Sequence, residues 1–131
     1  MSQVMLDTNI FASLQRDPRG PVAQALSKLN QSQLCTSVLV ASEIRYGLAK
    51  NPSPRITRAM EALLASVEIH PLAASASQHY AVLRADLEKR GRLIGSNDLL
   101  IAAHCLDLGA ALATLNKAEF KRVKSLALYP L

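Results

Sequence analysis

Three acids and an amide stand at the ends of short apolar runs or on the edge of an apolar helix face. Asp7 follows Val4-Met5-Leu6, and Asn116 follows Ala111-Leu112-Ala113-Thr114 after one further residue. Asp98 opens the apolar stretch Leu99 to Leu106, and Glu43 lies beside the row Val40, Ile44, Leu48. Acids gathered in one pocket repel each other, which raises their pKa values until a cation neutralises them. Donors that are all oxygen, with no His or Cys cluster, select a hard ion, Mg²⁺ or Mn²⁺. Each residue also has a plain structural role open to it. Asp7 is a favoured N-cap, Asp98 complements a helix dipole in the first turn, and Glu43 has Arg45 and Lys50 nearby as ion-pair partners.

The elements needed to bring these groups together can be read from the same pattern. Val4 to Leu6 is a buried strand of a parallel sheet, which puts Asp7 at the carboxyl rim where open α/β sheets place their ligands. A short helix from Ile10 to Leu14 ends near Asp17-Pro18-Arg19-Gly20. Pro21 starts a second helix with Val22, Ala25, Leu26 and Leu29 on one face. Leu34 to Thr36 is a second strand, and Ser37 caps a helix from Val38 to Lys50. Ser53 caps a helix from Pro54 to about Ser66, and Val67 to His70 is a third strand. Ser75 to Arg90 is a long helix with Ala76, Tyr80, Leu83 and Leu87 inward, ended by Gly91. Ser96 is expected to cap the apolar helix that carries Asp98 and ends at Gly109. His104 on that helix reads as a core residue with one satisfied hydrogen bond. Ala111 to Thr114 is a fourth strand, Lys117 to Arg122 a basic helix, and Leu126 to Tyr129 a last strand. Strands alternating with helices give a central, mainly parallel sheet of four to five strands with helices on both faces, a three-layer α/β/α fold.

Composition narrows the class. The 131 residues suit one domain, and half of them are hydrophobic while only 4% are aromatic. Fifteen Lys and Arg against ten Asp and Glu leave +5, which suits an anionic partner. Cys35 and Cys105 lie in apolar surroundings far apart and read as buried small hydrophobes in a reducing compartment. No signal peptide or membrane span is visible, so the expectation is a cytoplasmic protein. A P-loop, a G-x-G-x-x-G turn and a G-x-S-x-G elbow are all absent, and Asn9 stands where an aspartyl phosphatase needs its second acid.

In order and spacing, four segments resemble PIN-domain ribonucleases of the VapC toxin type. They are Met5-Leu6-Asp7-Thr8-Asn9, Ser42-Glu43-Ile44-Arg45-Tyr46-Gly47, Gly91 through Ala102, and Thr114-Leu115-Asn116-Lys117-Ala118-Glu119-Phe120. The resemblance spans essentially the whole chain and implies a single PIN domain over residues 1–131. It implies that Asp7, Glu43 and Asp98 are catalytic and hold Mg²⁺ or Mn²⁺, with Asn9 and Thr114 bracing the pocket. Many relatives carry a fourth acid where this chain has Asn116, so Glu119, one turn on, is the substitute expected to join the metal site. The implied function is the toxin of a type II toxin–antitoxin system, cutting structured RNA, with the anticodon region of initiator tRNA as the implied target. The implied partners are a VapB-like antitoxin and a second copy of the chain, with promoter DNA bound only through the antitoxin. RNA would be held through phosphates by Arg84, Lys89, Arg90, Arg92, Lys117 and Lys121, with Arg122 and Lys124 nearby, and few aromatics are left for stacking. Two competing functions share the fold: an RNA-binding regulatory module without activity, favoured by the neutral Asn116, and a DNA nuclease.

Overall fold

The computed structural model describes residues 2–131. Four parallel strands, β1 (Val4–Leu6), β2 (Leu34–Ser37), β3 (Glu68–His70) and β4 (Ala111–Ala113), form one sheet in the order β3-β2-β1-β4. The chain steps outward from β1 to β2 to β3, then returns to add β4 on the other side of β1. Right-handed crossovers therefore put α1 (Thr8–Arg16), α2 (Pro21–Leu26), α3 (Val38–Lys50) and α4 (Pro54–Ala65) on one face. They put α5 (Ala76–Lys89) and α6 (Ser96–Leu108) on the other. A short α7 (Lys117–Phe120) follows β4. The direction of strand addition reverses between β1 and β4, so the crossovers diverge there and leave a crevice at the carboxyl ends of those two strands.

The core is aliphatic, as the composition requires. Met5, Leu6, Cys35 and Leu112 of the strands pack with Ile10 and Phe11 of α1, Val40 of α3, Leu87 of α5 and Ile101 and Cys105 of α6. Burial pushes the Cys35 thiol up to about 11, and Cys105 in the same direction, which leaves both as inert apolar filling. Gly91 and Gly109 end α5 and α6 with φ of 64° and 68°, the left-handed region that costs a side chain steric energy. Among the described residues, no helix is long and apolar enough to cross a membrane.

Four local expectations change. α1 begins at Thr8 rather than Ile10 and runs on to Arg16, because the Asp7 side chain accepts from the Thr8 N–H and starts the helix directly off β1. α2 ends at Leu26, so Leu29 packs on the core from the following turn rather than from the helix. Gly95, not Ser96, is the N-cap of α6, and it makes no side-chain cap hydrogen bond. The last strand is reduced to a single bridge between Leu128 and Leu112, so the sheet has four strands.

Candidate active site

Asp7 is the residue immediately after β1, and its backbone N–H still bonds to the Ala113 carbonyl of β4 at 3.0 Å. The strand ladder thus holds it at the mouth of the crevice. The residue is 5% exposed, and its carboxylate is satisfied from three directions. Oδ1 accepts from the Thr8 N–H at 2.8 Å, while Oδ2 accepts from the Thr114 hydroxyl at 2.7 Å and the Asn9 amide at 3.3 Å. Asn9 also donates to the Thr114 hydroxyl and accepts from the Leu115 N–H at 3.0 Å. These two residues lock the tips of β1 and β4 together around a carboxylate that cannot turn away.

Glu43 projects from α3 into solvent-facing space, and its Oε1 accepts from the Thr8 hydroxyl at 3.1 Å. Thr8 is therefore the link between Asp7 and Glu43, with its N–H on one acid and its hydroxyl on the other. The sequence reading passed over it, although its place beside Asp7 was the available signal. Arg45 is engaged elsewhere, in a two-point pair with Glu61 of α4 at 3.1 and 3.0 Å, so it does not neutralise Glu43.

Asp98, in the first turn of α6, completes the rim. Burial first, then the neighbouring acids Glu119, Asp7 and Glu43, push its carboxyl up to about 7. Hydrogen bonds tie the acids into two linked pairs, Asp7 and Glu43 through Thr8 and Asp98 and Glu119 through Asn116. Glu119 moves the other way. The Gly95 N–H donates to its Oε1 at 2.7 Å and the Asn116 amide to its Oε2 at 2.7 Å, and these two bonds hold it below the ordinary carboxylate range. Asn116 also reaches Asp98 Oδ2 at 3.5 Å, at the limit of a hydrogen bond. Its amide is thus turned inward as a donor between two acids.

The sequence-predicted metal ligands Asp7, Glu43, Asp98, Asn116 and Glu119 and the braces Asn9 and Thr114 all share this rim. Among the described residues, however, no three His, Cys, Asp or Glu side chains form a closed chelating set. The rim is open, with oxygen donors on separate elements and mutual repulsion stored at Asp98. The cations expected to hold RNA divide into two groups. Arg84 is spent on Glu88 at 2.8 Å and the Tyr80 hydroxyl at 3.0 Å, and Arg90 on Asp86 at 2.8 Å and the Arg122 carbonyl at 2.7 Å. Lys117 donates to the Leu131 carbonyl at 3.3 Å. Lys89, Arg92 and Lys121 are exposed.

The PIN domain family model matches residues 4–126. A ribonuclease VapC2 of Haemophilus influenzae is 36% identical over 129 residues, covering 96% of both chains. The chain belongs to the VapC group of PIN-domain ribonucleases. Another relative in this family, a tRNA(fMet)-specific endonuclease VapC of Shigella flexneri, is 32% identical over 127 residues, again with 96% of each chain covered. In three dimensions, the crystal structure of VapBC2 from Rickettsia felis bound to a DNA fragment from their promoter superposes with a TM-score of 0.84. That chain is 33% identical, with 95% of this chain and 96% of that one covered. The four-stranded parallel sheet flanked by helices is thus the family's fold, and the acidic rim lies in the crevice such a sheet reserves for ligands.

Proposed function

We propose that this chain is a Mg²⁺- or Mn²⁺-dependent endoribonuclease, the toxin of a type II toxin–antitoxin pair. Its proposed substrate is structured RNA, with the anticodon region of initiator tRNA as the target. One observation carries the metal-dependent part: Asp98 sits among Asp7, Glu43 and Glu119 with its carboxyl pushed up to about 7. A half-buried acid in that state gains most from a hard cation, and the donors offered to one are all oxygen. When bound, such an ion supplies an activated water and charge to stabilise the departing oxygen.

The chain's own residues set the geometry of that chemistry. Asp7 is fixed by Thr114, Asn9 and the start of α1, so it provides the rigid donor. Glu43 and Asp98 approach from α3 and α6, and Thr8 holds Glu43 in place. Glu119, pinned by Gly95 and Asn116, stands in for the acid missing at 116. Lys89, Arg92 and Lys121 contact phosphates and give salt-dependent, sequence-independent affinity. The name of the Shigella flexneri relative supports the tRNA target.

The antitoxin reading has a surface to act on. A groove of ≈ 330 Å³ lined by Thr8, Ala12, Glu43, Ile44, Gly47 and Met60 opens directly beside the rim. An amphipathic helix of a VapB-like partner fits a groove of this kind and would block Glu43. The Rickettsia felis complex supports that partner and a route to promoter DNA through it. A homodimer in the cytoplasm is the proposed free form. Asn116 alone favours a non-catalytic RNA-binding module.

The test is digestion of total RNA by the purified chain, with and without Mg²⁺, followed by mapping of the new 5′ ends. The expected outcome is a small set of cuts carrying 5′-phosphate that vanish in chelator. Cuts that persist in chelator and leave cyclic phosphate would overturn the proposal.

A further inference from the structure

Three tyrosines and two phenylalanines are the whole aromatic complement of this chain. Four of the five are committed to the fold. Phe11 and Phe120 are buried, Tyr129 is half-buried with its hydroxyl on the Ala25 carbonyl at 2.7 Å, and Tyr80 is half-buried beside Arg84. Tyr46 differs, with 66% of its surface exposed. Nothing in the packing of α3 requires it, since that helix buries Val40, Ala41 and Ile44 on another side.

Its position is informative. Tyr46 lies one helical turn beyond Glu43, and side chains three apart on a helix are neighbours, with Cβ atoms about 5–6 Å apart. Helix α3 meets α6 where Ser37 bonds to His104 at 2.7 Å, and Glu43 and Asp98 lie equally far along the two helices from that contact. Tyr46 lies nine residues along α3 from Ser37, and α6 reaches eight residues from His104 back to its first residue, Ser96. Along the two helices Tyr46 is therefore level with the end of α6 that carries Asp98. The adjoining surface is clear as well: a Cβ built on Gly47 would meet no atom within 4 Å. Arg45, the other neighbour, is held away by Glu61. Across the rim, Leu115 is 47% exposed beside Asn116.

A neutral π-face one turn from a carboxylate that faces the scissile linkage is suited to a nucleobase. Phosphates are repelled by the acidic rim wherever no cation intervenes, whereas every base offers a flat face to an exposed ring. The span from Glu43 to the Tyr46 ring is roughly the length of one or two stacked nucleotides. We propose that Tyr46 stacks on a base of the bound RNA next to the cleaved linkage, an unpaired loop base that the ring holds out of its stack. This rests on the ribonuclease reading above and adds a recognition residue to it. It also gives a use to one of the few aromatics that the sequence leaves for stacking.

The experiment uses the full chain carrying Asp7→Asn, so that RNA is bound and not cut. Binding of synthetic stem-loop RNAs that span the mapped cut, each with one abasic loop position, is compared for Tyr46, Tyr46→Phe and Tyr46→Ala. Removing the ring is expected to weaken binding about ten-fold, the typical effect of losing one stacked base. Tyr46→Phe keeps full affinity, because the ring and not the hydroxyl makes the contact. One abasic position beside the cut weakens the Tyr46 protein equally and costs the Ala variant nothing more. Equal affinity of the Ala variant, or losses that multiply at every position, overturns the inference. So does an Ala variant that binds RNA normally but no longer co-purifies with its antitoxin or its second copy, which assigns the ring to a protein contact. A parent chain that neither cuts nor binds RNA overturns the ribonuclease reading itself, an outcome distinct from a cutting parent with an indifferent Ala variant.

Discussion

The two ends of the contact between α3 and α6 present opposite solutions to burying polar groups. At one end Ser37 and His104 are both 0% exposed and joined at 2.7 Å, and the Ser37 hydroxyl also accepts from the Leu39 N–H at 3.0 Å to cap α3. Burial holds the imidazole below its usual range, so it is the neutral ring that is buried, against the pull of the Pro71 backbone and Asp107. Two neutral partners bond to each other there through the imidazole Nδ1, while Nε2 is buried with no hydrogen-bond partner among the described residues. At the other end Asp98 is raised by burial and by the charges of Glu119, Asp7 and Glu43, and among the described residues no ion pair reaches these four acids. The comparison separates what positions the site from what the site does. A neutral buried pair sets the helix geometry, at the cost of one unpartnered ring nitrogen, and a charged cluster a short distance away stores repulsion that a cation would relieve.

The largest effect belongs to the acidic end. Asp7→Asn keeps the cap on α1 through its amide oxygen, but removes the charge and sets an NH2 where Oδ2 accepts from Thr114 and Asn9. RNA cleavage is expected to fall by more than about 100-fold, since even groups behind metal ligands are typically worth 10–100-fold. The chain should remain folded by circular dichroism, and a cleaving Asp7→Asn protein would erase the distinction drawn here. The next effect belongs to the neutral end. Ser37→Ala removes a cap and leaves the second imidazole nitrogen of His104, Nδ1, unpaired as well, a loss of about 1–3 kcal/mol. Thermal melts should show a drop of several degrees, with the cleavage that remains still depending on Mg²⁺.

The pH dependence of stability sharpens the contrast, because the two ends have opposite signs. Folded Asp98 keeps its proton up to about 7, so between its ordinary value of 3.8 and that point the folded chain binds more protons than the unfolded one. Its contribution is therefore present below 3.8 and lost as pH rises through about 7. His104 is depressed, so the unfolded chain binds the extra proton, and stability is lost as pH falls below the ordinary 6.5. Melting temperatures in chelator should fall on both sides. Asp98→Asn should flatten the neutral-side loss and His104→Gln the acid-side loss. Exchange of those two outcomes would invert the comparison.

The smallest effects lie on the basic surface. Arg84→Ala should leave RNA affinity nearly unchanged, since its guanidinium is already spent on Glu88 and Tyr80. Arg92→Ala should reduce the slope of log affinity against log salt by about 1, the mark of one lost phosphate contact. Equal slopes for the two variants would remove the reason for separating spent cations from free ones.

Much of the scaffold was legible because it follows from local chemistry. The bounds of α3, the Ser37 cap, the Pro21 start and the two glycine stops all depend on a few adjacent residues. So did the place of Asp7, since an apolar triplet ending in an acid has one natural position in a parallel sheet. The misread ends share a cause. The start of α1 depended on the Asp7 side chain folding back onto the next N–H, and the last strand lacked a partner beyond Leu112. At the site, Thr8 was overlooked because its second contact, Glu43, lies 35 residues away. The spent state of Arg84 and Arg90 also needed coordinates, since an i,i+4 carboxylate is a possible partner in sequence and an actual one only in space.

The order of apolar runs, breakers and acids thus determined an α/β chain with its carboxylates at strand ends and helix starts, because periodicity and capping act over a few residues. The tertiary structure decided which of those carboxylates are neutralised and which repel. Arg45 turns to Glu61 and leaves Glu43 free, while Gly95 and Asn116 hold Glu119 charged beside Asp98. Electrostatic work depends on distance and burial in three dimensions, and neither is encoded by spacing along the chain.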